Sequence, residues 1–218
     1  MAFAFKPQTV IDCIRTTSVV LVALAGMAAV PAHASDGVIT ITGEITTQTC
    51  KINGNTPPYN LLVTLPKISS SALKNVNDTA GSTVFHIELT ECPESLKNKM
   101  LAAYFEPGPA VDLATGNLQT YTIDTLPTKA ASTIPGDLDS SKLFDNVEIQ
   151  LANTDGSAIK IGAADHRSKG FTAVEAGSGN SKTASATLTY LARYIKTGNG
   201  AIKAGKVHTY VQYSILYP

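Results

Sequence analysis

Tryptophan is missing from this 218-residue chain, and aromatic residues make up only 6% of it. Neither sign of charge prevails: 17 lysines and arginines stand against 17 aspartates and glutamates. Without a basic excess nothing points to a nucleic-acid partner, and without a charge block nothing points to a membrane surface. Cysteine is scarce. Cys13, Cys50 and Cys92 form no C-x-x-C pair and have no clustered histidines, so they make a poor metal site. Long apolar runs are lacking too. Residues 19–30 are apolar for about a dozen positions, short of the roughly 20 that a spanning helix needs.

Catalytic signatures are equally thin. The chain has no G-x-S-x-G elbow and no H-E-x-x-H. Its glycine-rich stretches, residues 177–180 and 198–200, lack the G-K-[ST] ending of a phosphate loop and read as turns. His86 and the pair Asp165-His166 are scattered among expected strands and loops and assemble no acid–base site. The expectation is a non-enzyme with no cofactor, no metal and no small-molecule substrate.

What is present begins with an export signal. Lys6 and Arg15 precede the apolar run, and Ala32-His33-Ala34 follows it as an A-x-A cleavage site. Cleavage after Ala34 makes Ser35 the new start, so residues 1–34 are read as a signal peptide. Cys50 and Cys92 then remain as an even pair in an exported chain, which reads as a disulfide. The enclosed loop is about forty residues long, and closing it is worth roughly 4 kcal/mol in the chain-entropy account.

The rest alternates with a period of two. In residues 205–218, Val207, Thr209, Val211, Tyr213, Ile215 and Tyr217 share one face. In residues 83–92, Phe85, Ile87 and Leu89 lie opposite Val84, His86 and Glu88. Strand patterns also cover residues 59–68, 101–105, 118–123, 144–152, 159–162 and 187–197, with Gly, Pro and Asn clusters between them. Seven or eight short runs without a long helical pattern predict an all-β, immunoglobulin-like sandwich. Residues 35–50 are unusual. Ile39 and Ile41 alternate with threonines, and at Gly43 a second strand pattern follows with no turn between.

These features resemble chaperone–usher pilins. In that family a glycine lies fourteen residues from the end and an aromatic is next to last; Gly205 and Tyr217 match those positions. Gly43-Glu44-Ile45 followed by Cys50 matches the family's N-terminal pattern, and Cys92 its second cysteine. Within the family, the chain is similar to the serotype-type major fimbrial subunits of Bordetella. It shares their Leu65-Pro66-Lys67-Ile68-Ser69 run and their Tyr104-Phe105-Glu106-Pro107-Gly108-Pro109 segment.

The resemblance implies a sandwich lacking one strand, completed by a donor strand from another subunit. Residues 35–43 are then an N-terminal donor extension, with Gly37, Ile39, Ile41 and Gly43 on the inserting face, and residues 44–218 are the pilin domain. The C-terminal strand, with Gly205, Val207, Val211, Tyr213, Ile215 and Tyr217, borders the empty groove and meets the chaperone. Implied partners are further copies in a head-to-tail filament, a periplasmic chaperone, an outer-membrane usher and a tip adhesin. The implied place is a surface fimbria supporting adhesion to host cells. The other reading is a monomeric secreted lectin-like or adhesin module.

Overall fold

The computed structural model describes residues 39–47, 49–134, 138–164, 168–179 and 181–218. Ala34, Ser35, Gly37 and the pair Asp165-His166 lie outside the described residues. The chain divides into two units, Met1–Glu44 and Ile45–Pro218. All the strands below belong to the second.

Period-two patterning produces nearly all of the regular structure. In chain order the strands are β1 (Lys51–Ile52), β2 (Thr79–Cys92), β3 (Met100–Glu106) and β4 (Val111–Asp112). Next come β5 (Asn117–Thr122), β6 (Leu143–Asn153), β7 (Ala158–Ile159) and β8 (Phe171–Thr172). Last are β9 (Val174–Ala176), β10 (Thr183–Lys196), β11 (Val207–His208) and β12 (Gln212–Leu216). Three single 3₁₀ turns, Ser70–Ala72, Glu94–Leu96 and Ser140–Lys142, are the described helical pieces.

Two antiparallel sheets result. The larger runs β1-β2-β10-β6-β5-β11, with β4 on β5, β7 on β6 and β9 on β10. The smaller runs β12-β3-β8. Their inner faces interleave: Ile87, Leu89 and Leu188 from the larger sheet and Leu101, Ala103 and Phe105 from the smaller are buried together in one core. Burying each large aliphatic contributes roughly 1.5–3 kcal/mol.

Tyr190 on β10 ties the sheets. Its ring is fully buried and packs edge-on to Phe105 and Phe171, with centroids 5.4 and 5.7 Å away. Its hydroxyl accepts from the Ala103 amide at 3.0 Å and donates to the Lys169 carbonyl at 2.9 Å. Two main-chain groups at the core's edge are thereby satisfied.

The outer face of the larger sheet holds a polar network. Glu148 Oε2 accepts from Thr115 Oγ1 at 2.8 Å and Asn117 Nδ2 at 3.0 Å. Gln150 donates to Asn117 and accepts from the Arg193 guanidinium. This explains how β6 buries Glu148 and Gln150 on the face away from the core.

At the N-terminal end of the domain, Asn53 and Gly54 make a tight reversal with positive φ (48° and 75°), a turn that favours Asn-Gly. The Asn53 carboxamide oxygen accepts from the Glu88 amide, fixing the turn to β2.

Candidate functional site: an open edge beside the C-terminal strand

Residues 205–218, one alternating stretch in sequence, are divided between the two sheets. β11 pairs with β5 in the larger sheet, Val207 opposite Thr122. β12 pairs with β3 in the smaller, Tyr213 opposite Phe105 and Ile215 opposite Ala103. Val207 therefore belongs to a different sheet from Tyr213 and Ile215, and residues 209–211 carry the crossing. Gly205 precedes β11 where the chain presses on Phe144; a Cβ there would come within 2.6 Å of Phe144 Cε2. Close approach, not backbone strain, explains that glycine.

β12 has β3 on one side and, among the described residues, no strand on the other. An immunoglobulin-type sandwich places C, F and G strands in this sheet. With β3 and β12 as C and F, the vacant edge is the G position.

The segment next to this edge also lacks a partner. Residues 59–68 read as a strand in sequence, and their burial alternates as a strand's would. Tyr59, Leu61, Val63 and Leu65 are half-buried, whereas Asn60, Leu62 and Thr64 face water. Tyr59, Val63 and Leu65 pack on the core alongside Val211, Tyr213, Ile215 and Tyr217. Yet among the described residues no backbone hydrogen bond joins this segment to any strand. It is an extended wall without a ladder. Strands need neighbours about 4.8 Å away, and among the described residues neither this wall nor the outer side of β12 has a strand paired to it.

Two tyrosines of the C-terminal stretch bond to main chain near the start of the domain. The Tyr213 hydroxyl donates to the Tyr59 carbonyl at 2.7 Å. The Tyr217 hydroxyl accepts from the Cys50 amide at 3.2 Å. Burial pushes the Tyr213 phenol above its ordinary value of 10, so it keeps its proton and its donor role. Cys50 and Cys92 form a disulfide that links the start of β1 to the end of β2, both sulfurs being buried. The penultimate tyrosine is thus held to a residue that the disulfide also holds.

The N-terminal segment is exposed. Ile39 and Ile41 are 88% and 89% exposed. No strand is assigned over residues 39–47, and Gly43 has open space around it. Ile45, at the next-but-one position after Gly43 in the same period of two, is 99% exposed.

No set of three His, Cys, Asp or Glu side chains suited to a metal occurs among the described residues. His86 bonds through Nδ1 to the Thr189 hydroxyl on the neighbouring strand. No described helix is long and apolar enough to cross a membrane.

Residues 65–218 match the family described as type-1 fimbrial protein, A (FimA). The chain belongs to this fimbrial family. It is 40% identical over 203 residues to the fimbrial protein FimX of Bordetella pertussis, covering 90% of this chain and 95% of that one. With the serotype 2 fimbrial subunit of the same organism it shares 41% over 201 residues, 90% and 93% of the two chains. Among solved structures, the P pilus rod subunit PapA aligns at 15% identity with a TM-score of 0.46, covering 83% of this chain and 100% of that one. The fimbrial subunit described here is a structural component of a surface fimbria, not an enzyme, and polymerises with other subunits.

Proposed function

We propose that the open edge of one subunit is filled by residues 37–45 of a second copy. The observation that carries this is the pairing of two deficits: β12 on its outer side and residues 59–68 have no strand paired to them among the described residues, while Ile39, Ile41 and Ile45, alternate positions in sequence, are exposed. Gly37 and Gly43 are the small positions of the same alternation in the sequence. Adding a strand to a sheet edge supplies main-chain hydrogen bonds, and alternating side chains fill the spaces beneath. Each isoleucine so buried contributes roughly 1.5–3 kcal/mol. The contact is head-to-tail and does not close on itself, so it generates a filament.

Until that exchange, an apolar edge of this kind invites aggregation. A periplasmic chaperone occupies it first, using the C-terminal strand marked by Gly205, Val207, Val211, Tyr213, Ile215 and Tyr217. An outer-membrane usher then exchanges chaperone for subunit, and a tip adhesin heads the fibre that supports adhesion to host cells. Residues 1–34 direct export and are removed between Ala34 and Ser35. Residues 35–43, continued through Ile45, act as the extension, and the remainder of residues 44–218 as the folded body.

The variant Ile39→Asp tests this reading, because a charge in an apolar groove costs more than the isoleucine gains. It should fold, reach the periplasm and bind chaperone as wild type does, yet give no SDS-resistant ladder and no filaments by microscopy. Full-length filaments from Ile39→Asp would exclude residues 37–45 as the inserting strand.

A further inference from the structure

On leaving β10, the chain runs from Thr197 to Lys206 before it enters β11. Gly198, Gly200 and Gly205 lie on this path. None of the three has a positive φ, so backbone freedom is not what calls for glycine. What they share is a side chain of β6 pressed against them. A Cβ on Gly198 would collide with Asn146 Oδ1, and one on Gly200 would lie 2.7 Å from Asn146 Nδ2. On Gly205 it would lie 2.6 Å from Phe144 Cε2, well inside the roughly 3.5–4.0 Å of an unstrained carbon–carbon contact.

Asn146 is suited to this seat. It stands one position before Val147, whose pairing with Lys196 ends the β6–β10 ladder. Its φ is 64°, a left-handed conformation that asparagine adopts more readily than most residues. Its carbonyl accepts from the Thr197 amide at 3.0 Å, and its Nδ2 donates to the Ala201 carbonyl at 3.4 Å. Residues 203–206 are then exposed. The path is fastened again where Gly205 meets Phe144 and where the Ile123 amide donates to the Lys206 carbonyl at 3.0 Å.

Pairing alone holds the next segment weakly. β11 matches β5 at Val207–Thr122 and His208–Tyr121. Cross-strand pairs are what stabilise a ladder, and two of them give little hold. β12, which presents the open edge, starts soon after at Gln212. Resting on the donor-strand reading above, we infer that Asn146 and Phe144 are positioning residues for the C-terminal strand. Through Gly198, Gly200 and Gly205 they set where β11 and then β12 lie, and so the edge that receives the incoming segment. The glycine fourteen residues from the end is dictated by a ring of its own chain, not by the approach of a partner.

Exchanging volume across each contact tests this in full-length exported subunits. Gly205→Ala alone should lower filament yield, read by microscopy and SDS-resistant ladder. Gly205→Ala with Phe144→Leu, which removes the ring edge that the new methyl strikes, should restore most of it. Gly198→Ala should likewise be rescued by Asn146→Gly, since glycine keeps the left-handed backbone and removes the carboxamide. A double variant no better than its glycine single, or wild-type yield from either glycine single, overturns the seat. Were Gly205 making room for a partner chain, trimming Phe144 would rescue nothing.

Hydrogen exchange gives a readout that general destabilisation would not. In exported Asn146→Gly, the amides of residues 206–216 should exchange roughly two- to tenfold faster, the effect of one lost hydrogen bond. Those of β2 and β10 should keep their wild-type rates, because local opening need not involve the whole fold. Equal acceleration throughout, or none, overturns the positioning role. Filaments that survive Ile39→Asp overturn donor insertion instead and leave the exchange result standing.

Discussion

The phenol of Tyr213 donates a 2.7 Å hydrogen bond to the main-chain carbonyl of Tyr59, 154 positions away in sequence. It is the side-chain tie between two segments that share no backbone ladder. Tyr190 makes a comparable tie between the sheets from a fully buried ring, with a buried partner in the Ala103 amide and a part-buried one in the Lys169 carbonyl. The two tyrosines should therefore respond differently to losing a hydroxyl.

Tyr190→Phe leaves the buried Ala103 amide and the part-buried Lys169 carbonyl without their bonds. Its cost should fall at roughly 1–3 kcal/mol. Tyr213→Phe removes one bond at a half-open edge and should cost about 1 kcal/mol or less. Urea unfolding of the two variants compares them directly. A larger loss from Tyr213→Phe would mean that the groove walls, not the core, limit stability.

The Cys50–Cys92 disulfide closes a separation of 42 residues. In the chain-entropy account a loop of this size is worth roughly 4 kcal/mol. Cys50→Ala, Cys92→Ala and the double variant should all lower the exported yield and the urea midpoint, with the double close to the singles because one bond is lost in each case. Two free thiols found by mass spectrometry in folded wild-type protein would contradict this.

Glu148 gives stability a dependence on pH. Burial pushes its carboxyl above the ordinary value of 4.5, with Asp112 adding to the rise, and the bonds from Thr115 and Asn117 only partly oppose it. The folded state thus holds this proton more tightly than the unfolded chain. The group's favourable contribution is complete below about pH 4.5 and is lost as pH rises through the raised folded value. Glu148→Gln keeps the shape without the buried charge. Its urea midpoint, relative to wild type, should rise between pH 4 and pH 7.5. An unchanged difference across that range would show that the carboxylate is not penalised.

Much of the architecture was legible without coordinates. The alternation of Phe85, Ile87 and Leu89 with Val84, His86 and Glu88 marked β2 and its two faces, because a strand's side-chain period is local and needs no knowledge of neighbours. An even pair of cysteines in an exported chain pointed to the disulfide for a reason equally independent of fold. What alternation does not report is the identity of the hydrogen-bonding neighbour, which is a non-local property. Residues 59–68 carry the same pattern as β2, yet they are a wall with no ladder. Residues 205–218 read as one strand but are shared between two sheets. The hydroxyl of Thr209 looked like any other threonine until the surrounding chain closed over it. Residue types determined which faces are apolar; only the tertiary structure decided which edge was left without a partner, because pairing depends on where distant segments come to rest.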